Sequence, residues 1–227
     1  MSNYQKFIRD QVPDHYSAII DAVTPFIGAN TEPCEETAMP VGRSKFCGEP
    51  DLPRGFQWPM SCDGPCHFVA QLNLAELALF ETAHPLPPDG LLSFFFHDAE
   101  GHPEGANSVV YYFSEPHHLE RTAISVDPRF GEEFHEEHLY SRCFSFAQAY
   151  VIEEDELPNS FELRSFIDSF EFHFGRATHR LFGASQFDGF LTLGSFGEWS
   201  DRINFLVPIF DFNVLDFSML EVEFHCS

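Results

Sequence analysis

Apolar positions recur at two periods along this chain, and the change of period marks its elements. Asn3 to Gln11 is compatible with a short helix. Between Pro13 and Val23, Tyr16, Ile19, Ile20 and Val23 form a stripe at helical spacing, with Pro13 suited to a first turn and Asp14 to the helix start. Residues 28–36, GANTEPCEE, read as loop. Residues 40–66 are dominated by Pro, Gly and polar turn residues; Phe46, Phe56 and Trp58 predict that this long loop is ordered and anchored on a sheet. A strand follows over 67–72, then a helix over 74–81 capped by Asn73, with Glu76 completing a capping-box-like pattern.

Beyond the turn cluster at 85–90, LLSFFFH (91–97) and SVVYYF (108–113) read as buried strands around a polar loop. Residues 122–126 and 143–152 predict further strands. FELRSFIDSFEF (161–172) has a helical apolar face, and 190–193, 203–210 and 219–224 are late strands. Phe68-Val-Ala-Gln-Leu with the strand at 91 is echoed by Phe190-Leu-Thr-Leu-Gly with the strand at 203. Either an internal duplication or two unrelated pieces of sheet would look this way. The fold expected is a sheet-rich α+β single domain with a few peripheral helices: residues 1–40 form a helical segment packing on a core that runs over 44–227.

Composition supports one sizeable core: the chain has 227 residues, 44% of them hydrophobic, and 28 phenylalanines spread along its length. Charge narrows the partners. With 36 acidic residues against 12 basic, the net charge of -24 repels phosphate backbones and anionic lipid surfaces alike. A basic protein partner is the class it favours, although solubility alone also accounts for such a balance. The polar start MSNYQKFIRDQ shows no apolar signal segment, and no run reaches the ~20 apolar residues of a membrane helix, so a cytoplasmic protein with reduced thiols is expected.

Several islands in order carry a resemblance. They are Ser44-Lys45-Phe46 with Gly48, Pro50, Leu52-Pro53 and Trp58-Pro59; Phe68 with Ala70-Gln71-Leu72-Asn73-Leu74 and Glu76-Leu77; Leu86-Pro87, Gly90-Leu91 and Phe94-Phe95-Phe96; His179, Leu181 and Gly183; Trp199 and Asp201; Asp216-Phe217-Ser218; and the terminal Cys226-Ser227. In these the chain resembles the YwqG-like family, bacterial proteins mostly without a known function. Cys47 stands where that family commonly has a second glycine, Gly183-Ala184-Ser185 replaces a Gly-Tyr-Pro-like turn, and His225 stands where a glutamine is usual. The resemblance implies a compact sheet-rich α+β fold with internal duplication and transfers no catalytic residues. At the family level it also suggests a link to toxin-neutralising loci.

Candidate chemistry is sparse. Cys62-Asp-Gly-Pro-Cys66-His67 has a zinc-like spacing but no second ligand pair, so two thiols in a turn are favoured over a metal site. In Glu132-Glu133-Phe-His135-Glu136-Glu137-His138 the histidines are three apart, not the four a zincin helix needs, and a solvated acidic loop is the better reading. Glu153, Glu154, Asp155 and Glu156 form a second acidic run. These two runs are the candidate acidic partner surface. No nucleophile elbow, Walker loop or dinucleotide fingerprint is present, and no cofactor is implied. His179 beside Arg180 could belong to an anion pocket, but a buried histidine holding a turn is the favoured reading. Ser44, Lys45, Trp58, Gln71, His179, Trp199 and Asp201 form the candidate pocket, should the two echoing halves pack together; a satisfied polar network in the core is the favoured alternative. The leading functional expectation is a non-enzymatic cytoplasmic binding protein, in its most specific form an immunity-type protein that neutralises a basic toxin. The runner-up is a small-ligand-binding protein or an enzyme with a pocket between the halves.

Overall fold

Two long strands far apart in sequence form the centre of the molecule. In the computed structural model, which describes residues 1–61, 64–80, 82, 86–97, 107–115, 118–123, 140–153, 157, 161–184, 190–198, 201–208, 217 and 220–226, β1 (Val23–Pro33) pairs antiparallel with β8 (Arg142–Ile152) from Val23↔Ile152 to Pro33↔Arg142. On one side β8 is joined by β2 (Lys45–Phe46), β4 (His67–Asn73), β5 (Leu91–His97) and β6 (Asn107–Phe113). On the other side β1 is joined by β9 (His179–Ala184), β10 (Phe190–Glu198), β11 (Asp201–Pro208) and β12 (Glu221–Cys226). The result is a ten-stranded sheet in the order β12-β11-β10-β9-β1-β8-β2-β4-β5-β6. A separate two-stranded ribbon joins β3 (Asp51–Pro53) to β7 (Leu119–Arg121).

The sheet curls on itself. Phe94 of β5 and Phe205 of β11 lie seven strand spacings apart along it, about 34 Å in a flat sheet at ~4.8 Å per strand. Their rings are nevertheless 5.1 Å apart, edge to face, and both touch Phe196. The main core therefore fills the concave face, where Ile27, Ala29, Ala70, Leu72, Leu92, Leu181 and Val207 are buried with these rings.

The two ends of the sheet repeat one pattern. The row Lys45–Gln71–Ser93 across β2, β4 and β5 corresponds to Arg180–Ser195–Asn204 across β9, β10 and β11. The next row, Phe46–Ala70–Phe94, corresponds to Leu181–Gly194–Phe205. Each hairpin carries a bulge at the matching place, skipping Val69 in one and Leu193 in the other. Cys47 and Phe182, which follow Phe46 and Leu181, share a left-handed backbone at φ 58° and 51°. The match sets Phe68 against Thr192, two residues away from the echo expected at Phe190. A two-residue slip leaves every side chain on its original face, so the hydrophobic pattern alone does not distinguish the two alignments.

Helices pack at the start of β1. In α1 (Asn3–Gln11), Ser2 Oγ accepts from Gln5 N while Ser2 N donates to Gln5 Oε1, a complete capping box. The second helix is shorter than its apolar stripe: Pro13–His15 is a 3-10 turn, α2 spans Tyr16–Asp21, and Val23 opens the strand. Ile8, Ile19, Phe166, Ile167 and Phe170 form a second apolar cluster with Ile152, bringing in α4 (Phe161–Phe170) and a π-helical turn, Glu171–Gly175.

Three other expectations change. The loop expected over 28–36 is largely strand, to Pro33. Gly28 and Ala29 are buried at mid-sheet, where a Cβ on Gly28 would sit 2.9 Å from Ala177 Cβ, so packing selects small residues that carry no strand signal. Helix α3 spans only Leu74–Leu77; Asn73 Oδ1 caps Ala75 N at 3.0 Å, but Glu76 turns away to Ser44 N (3.4 Å) and Arg43 (3.1 Å) instead of closing a capping box. The strand expected at 122–126 falls earlier, at Leu119–Arg121, because its partner is β3; residues 124–126 lie outside the described residues.

Candidate functional site

Neighbouring residues of a strand point to opposite faces, so β2 divides its two side chains between two environments. Phe46 enters the concave core, 4.7 Å from the His179 ring and 6.2 Å from Phe196. Lys45 points to the convex face beside Gln71 and Cys143 and is fully buried there, because the segments carrying Glu36, Met39, Gly42 and Glu49 and the β3–β7 ribbon cover it.

Burying an ammonium is costly unless it is paired, and here the pairing is complete. Lys45 Nζ donates to Glu36 Oε1 at 2.7 Å and to the carbonyl of Glu49, and lies 3.7 Å from Asp51 Oδ1. Arg121 from β7 bridges the same two acids: its Nε is 3.0 Å from Asp51 Oδ1 and 3.1 Å from Glu36 Oε1. Its remaining nitrogens donate to the carbonyls of Glu36 and Met39. Two cations thus face two carboxylates. Asp51 Oδ2 also accepts from Gly42 N (2.8 Å) and Gln71 Nε2 (2.7 Å). Gln71 in turn accepts from Asp51 N (2.8 Å) and donates to the carbonyl of Arg43 (2.7 Å). Ser44 Oγ accepts from Asn73 N at 2.8 Å.

Glu36 is held by Ser141 Oγ on its other oxygen. Burial alone would raise its pKa, but the hydrogen bonds from Lys45 and Ser141 and the Lys45 charge outweigh burial and bring it below the ordinary 4.5. Gly48, at φ 75°, makes this possible: a Cβ there would lie 1.9 Å from Ser141 Oγ and 2.4 Å from Glu36 Oε2. Chemically the knot is closed. Every charge in it meets its opposite, and Lys45 is committed to two carboxylates and a carbonyl, so it presents neither a base nor a nucleophile.

The remaining candidates fall elsewhere. His179 is buried on the concave face, the first residue of a strand and not a turn residue, among Phe46, Phe144 and Phe196. It therefore does not converge with Lys45 and Gln71, which lie on the other side of the sheet. Trp58 belongs to a third cluster on the convex face: its Nε1 donates to the carbonyl of Cys66 at 2.8 Å and its ring meets Phe95 edge to face. With Phe56 against Tyr111 and Phe113, it fastens the segment around Phe56 and Trp58 to β5 and β6. Asp201 pairs with Cys226 at the sheet's far end, and Trp199 lies outside the described residues. So do Glu132, Glu133, Glu136, Glu137, Glu154, Asp155, Glu156 and Cys62; Glu153 is exposed just after β8, its N–H on the carbonyl of Ala22. Cys66 is buried, and burial pushes its thiol up to about 11. No cluster of three or more metal-binding side chains occurs among the described residues.

Sequence reasoning brought Lys45, Gln71 and Ser44 together and missed Glu36, Asp51, Arg121 and Ser141. The available signal was Asp51 itself, a lone acid between Pro50 and Leu52-Pro53 in a stretch expected to dock on a sheet. Its hydrogen-bond partners Gly42, Gln71 and Arg121 stand 9, 20 and 70 residues away, outside any helical or strand periodicity.

A curled antiparallel sheet pinned on its convex face by a buried, self-neutralising ion-pair network defines the structural class. The family described as a domain of unknown function, DUF1963, matches over residues 44–189, well over half of the chain. The chain belongs to this family. No curated protein matches it.

Proposed function

We propose that this chain is a non-enzymatic binding protein for a basic protein partner, and in the most specific form an immunity-type protein that neutralises a basic toxin. The observation that carries the reading is how the few basic side chains are used. Lys45 and Arg121 are consumed in the buried knot and Arg43 pairs with Glu76. Arg142 binds Thr31, while Arg9, Arg176 and Arg180 lie over the rings of Tyr16, Phe172 and Phe26. Seven of the 12 basic residues are therefore engaged within the fold of a chain whose net charge is -24. Such a field steers a cationic protein and repels polyanions. The YwqG-like resemblance and a cytoplasmic setting belong to the same reading.

The competing pocket reading has less support. The rings of Phe94, Phe196 and Phe205 meet between the two halves of the sheet, and Ser44, Lys45 and Gln71 are tied to partners within the fold.

The test is affinity capture from the native host at low salt, followed by titration of the captured partner. A basic protein whose affinity falls steeply between about 50 and 500 mM salt supports the proposal. Absence of any basic partner at low salt overturns it.

A further inference from the structure

Two half-buried thiols meet at the edge of the knot. Cys34 follows β1, and its N–H donates to the Ser141 carbonyl at 3.1 Å, which sets it opposite Ser141. Cys143 stands opposite Glu32 on one side and Lys45 on the other. Cys34 and Cys143 are therefore diagonal neighbours on the convex face of two adjacent strands. Their side chains share a hydrogen bond. Cys47 and Cys66, by contrast, are buried at 2% exposure.

We propose that Cys34 and Cys143 are a thiol–disulfide exchange site that takes a small dissolved disulfide as its oxidant. The Cys143 sulfur attacks the disulfide RSSR and releases RS⁻, which takes the proton and leaves as RSH. The Cys34 sulfur then attacks Cys143 Sγ, forms the internal S–S bond and expels the second RSH. Two thiols are oxidised and one disulfide is reduced, so atoms and electrons balance. Burial, the hydrogen bond to Cys143 and the nearby Glu36 charge push the Cys34 thiol up to about 12. The second step is consequently slow at neutral pH and accelerates as pH rises, leaving the pair reduced until an oxidising pulse persists. The bond would join the end of β1 to β8 next to Glu36 and Ser141, fastening the segment that delivers Glu36 to the knot. This inference stands independently of the basic-partner reading.

The experiment is to treat the folded full chain with excess glutathione disulfide, block remaining thiols, and map peptides without reductant. The expected result is a Cys34–Cys143 linked peptide, an intact mass lower by two hydrogens, and a Tm raised by several degrees, all reversed by dithiothreitol. Cys34→Ser should stop at a glutathione adduct on Cys143, and Cys143→Ser should give no link. Separate adducts on both cysteines of the wild type, unchanged thiols, or links scattered equally among Cys34, Cys47 and Cys66, in protein whose circular dichroism stays native, would overturn the proposal.

Discussion

Cys47 holds a backbone conformation, φ 58°, that side chains resist, while its N–H donates to the Val69 carbonyl at 2.9 Å and fixes the start of the covering loop. Glycine would adopt this conformation without strain. Replacing Cys47 by Gly removes strain of about 1–2 kcal/mol but also a buried thiol, so stability should stay within about 1 kcal/mol of the wild type. Cys47→Val, a modest change in an ordinary core, should cost more than about 2 kcal/mol, because a β-branched residue resists this region. Urea denaturation of the two variants separates them. Glu36 gives a pH signature. Its folded pKa lies below 4.5, so it takes up a proton less readily folded than unfolded. Its contribution is complete above the unfolded value and disappears as pH falls through the folded one. Glu36→Gln should therefore be less stable than the wild type at pH 7, with the gap closing as pH drops from about 5 toward 3. Chemical denaturation across that range measures it. Of these residues, Cys47 stood out in the sequence only through the resemblance drawn there, whereas Glu36 sat in a stretch that reads as loop and gave no sign of its partners.

At the level of elements, the knot acts as a rivet. It ties the 3-10 turn at Glu36–Ala38, β2, β3, β4, β7 and the residue before β8 into one unit, although β2 has two residues and β3 and β7 three each. Strands that short have little stability of their own. Lys45→Met removes one cation and leaves Asp51, itself fully buried, short of a partner; a loss of about 3–5 kcal/mol is expected, read from thermal or urea unfolding. A loss under about 1 kcal/mol would mean that the pairs contribute little beyond packing. The strands at 67, 91 and 143 were legible because their apolar runs are long and bounded by turn residues. β1 was not legible: Val23 read as the end of a helix, 24–27 carried no assignment, and its Gly-Ala-Asn continuation is small for the sake of its neighbours, not for its own propensity. Of the ribbon strands, β3 gave no signal and β7 was expected a few residues late, since each is defined mainly by the other.

For the whole molecule the charge is the dominant fact. A net charge of -24 on a chain of this size repels itself in the folded state more than in the expanded one, and salt screens that repulsion within about 10 Å at 0.1 M. Raising sodium chloride from about 10 to 150 mM should therefore raise Tm, although it weakens individual exposed pairs such as Arg43–Glu76. A Tm that falls with salt would mean that local attractions outweigh the global field.

The pairing of the central strands also sets an order of events during synthesis. The β4–β5–β6 meander closes over neighbouring sequence, and so can begin to form early. β1 cannot: its partners are β8, more than 100 residues downstream, and β9, farther still. Until residue 152 has left the ribosome, the strand destined for the centre of the sheet is an exposed edge without a mate. Contacts of such long separation slow folding and lengthen the interval in which a nascent chain can mispair. The net charge of -24 also repels unfinished chains from one another during that interval, so the charge protects the protein before it has a fold to stabilise.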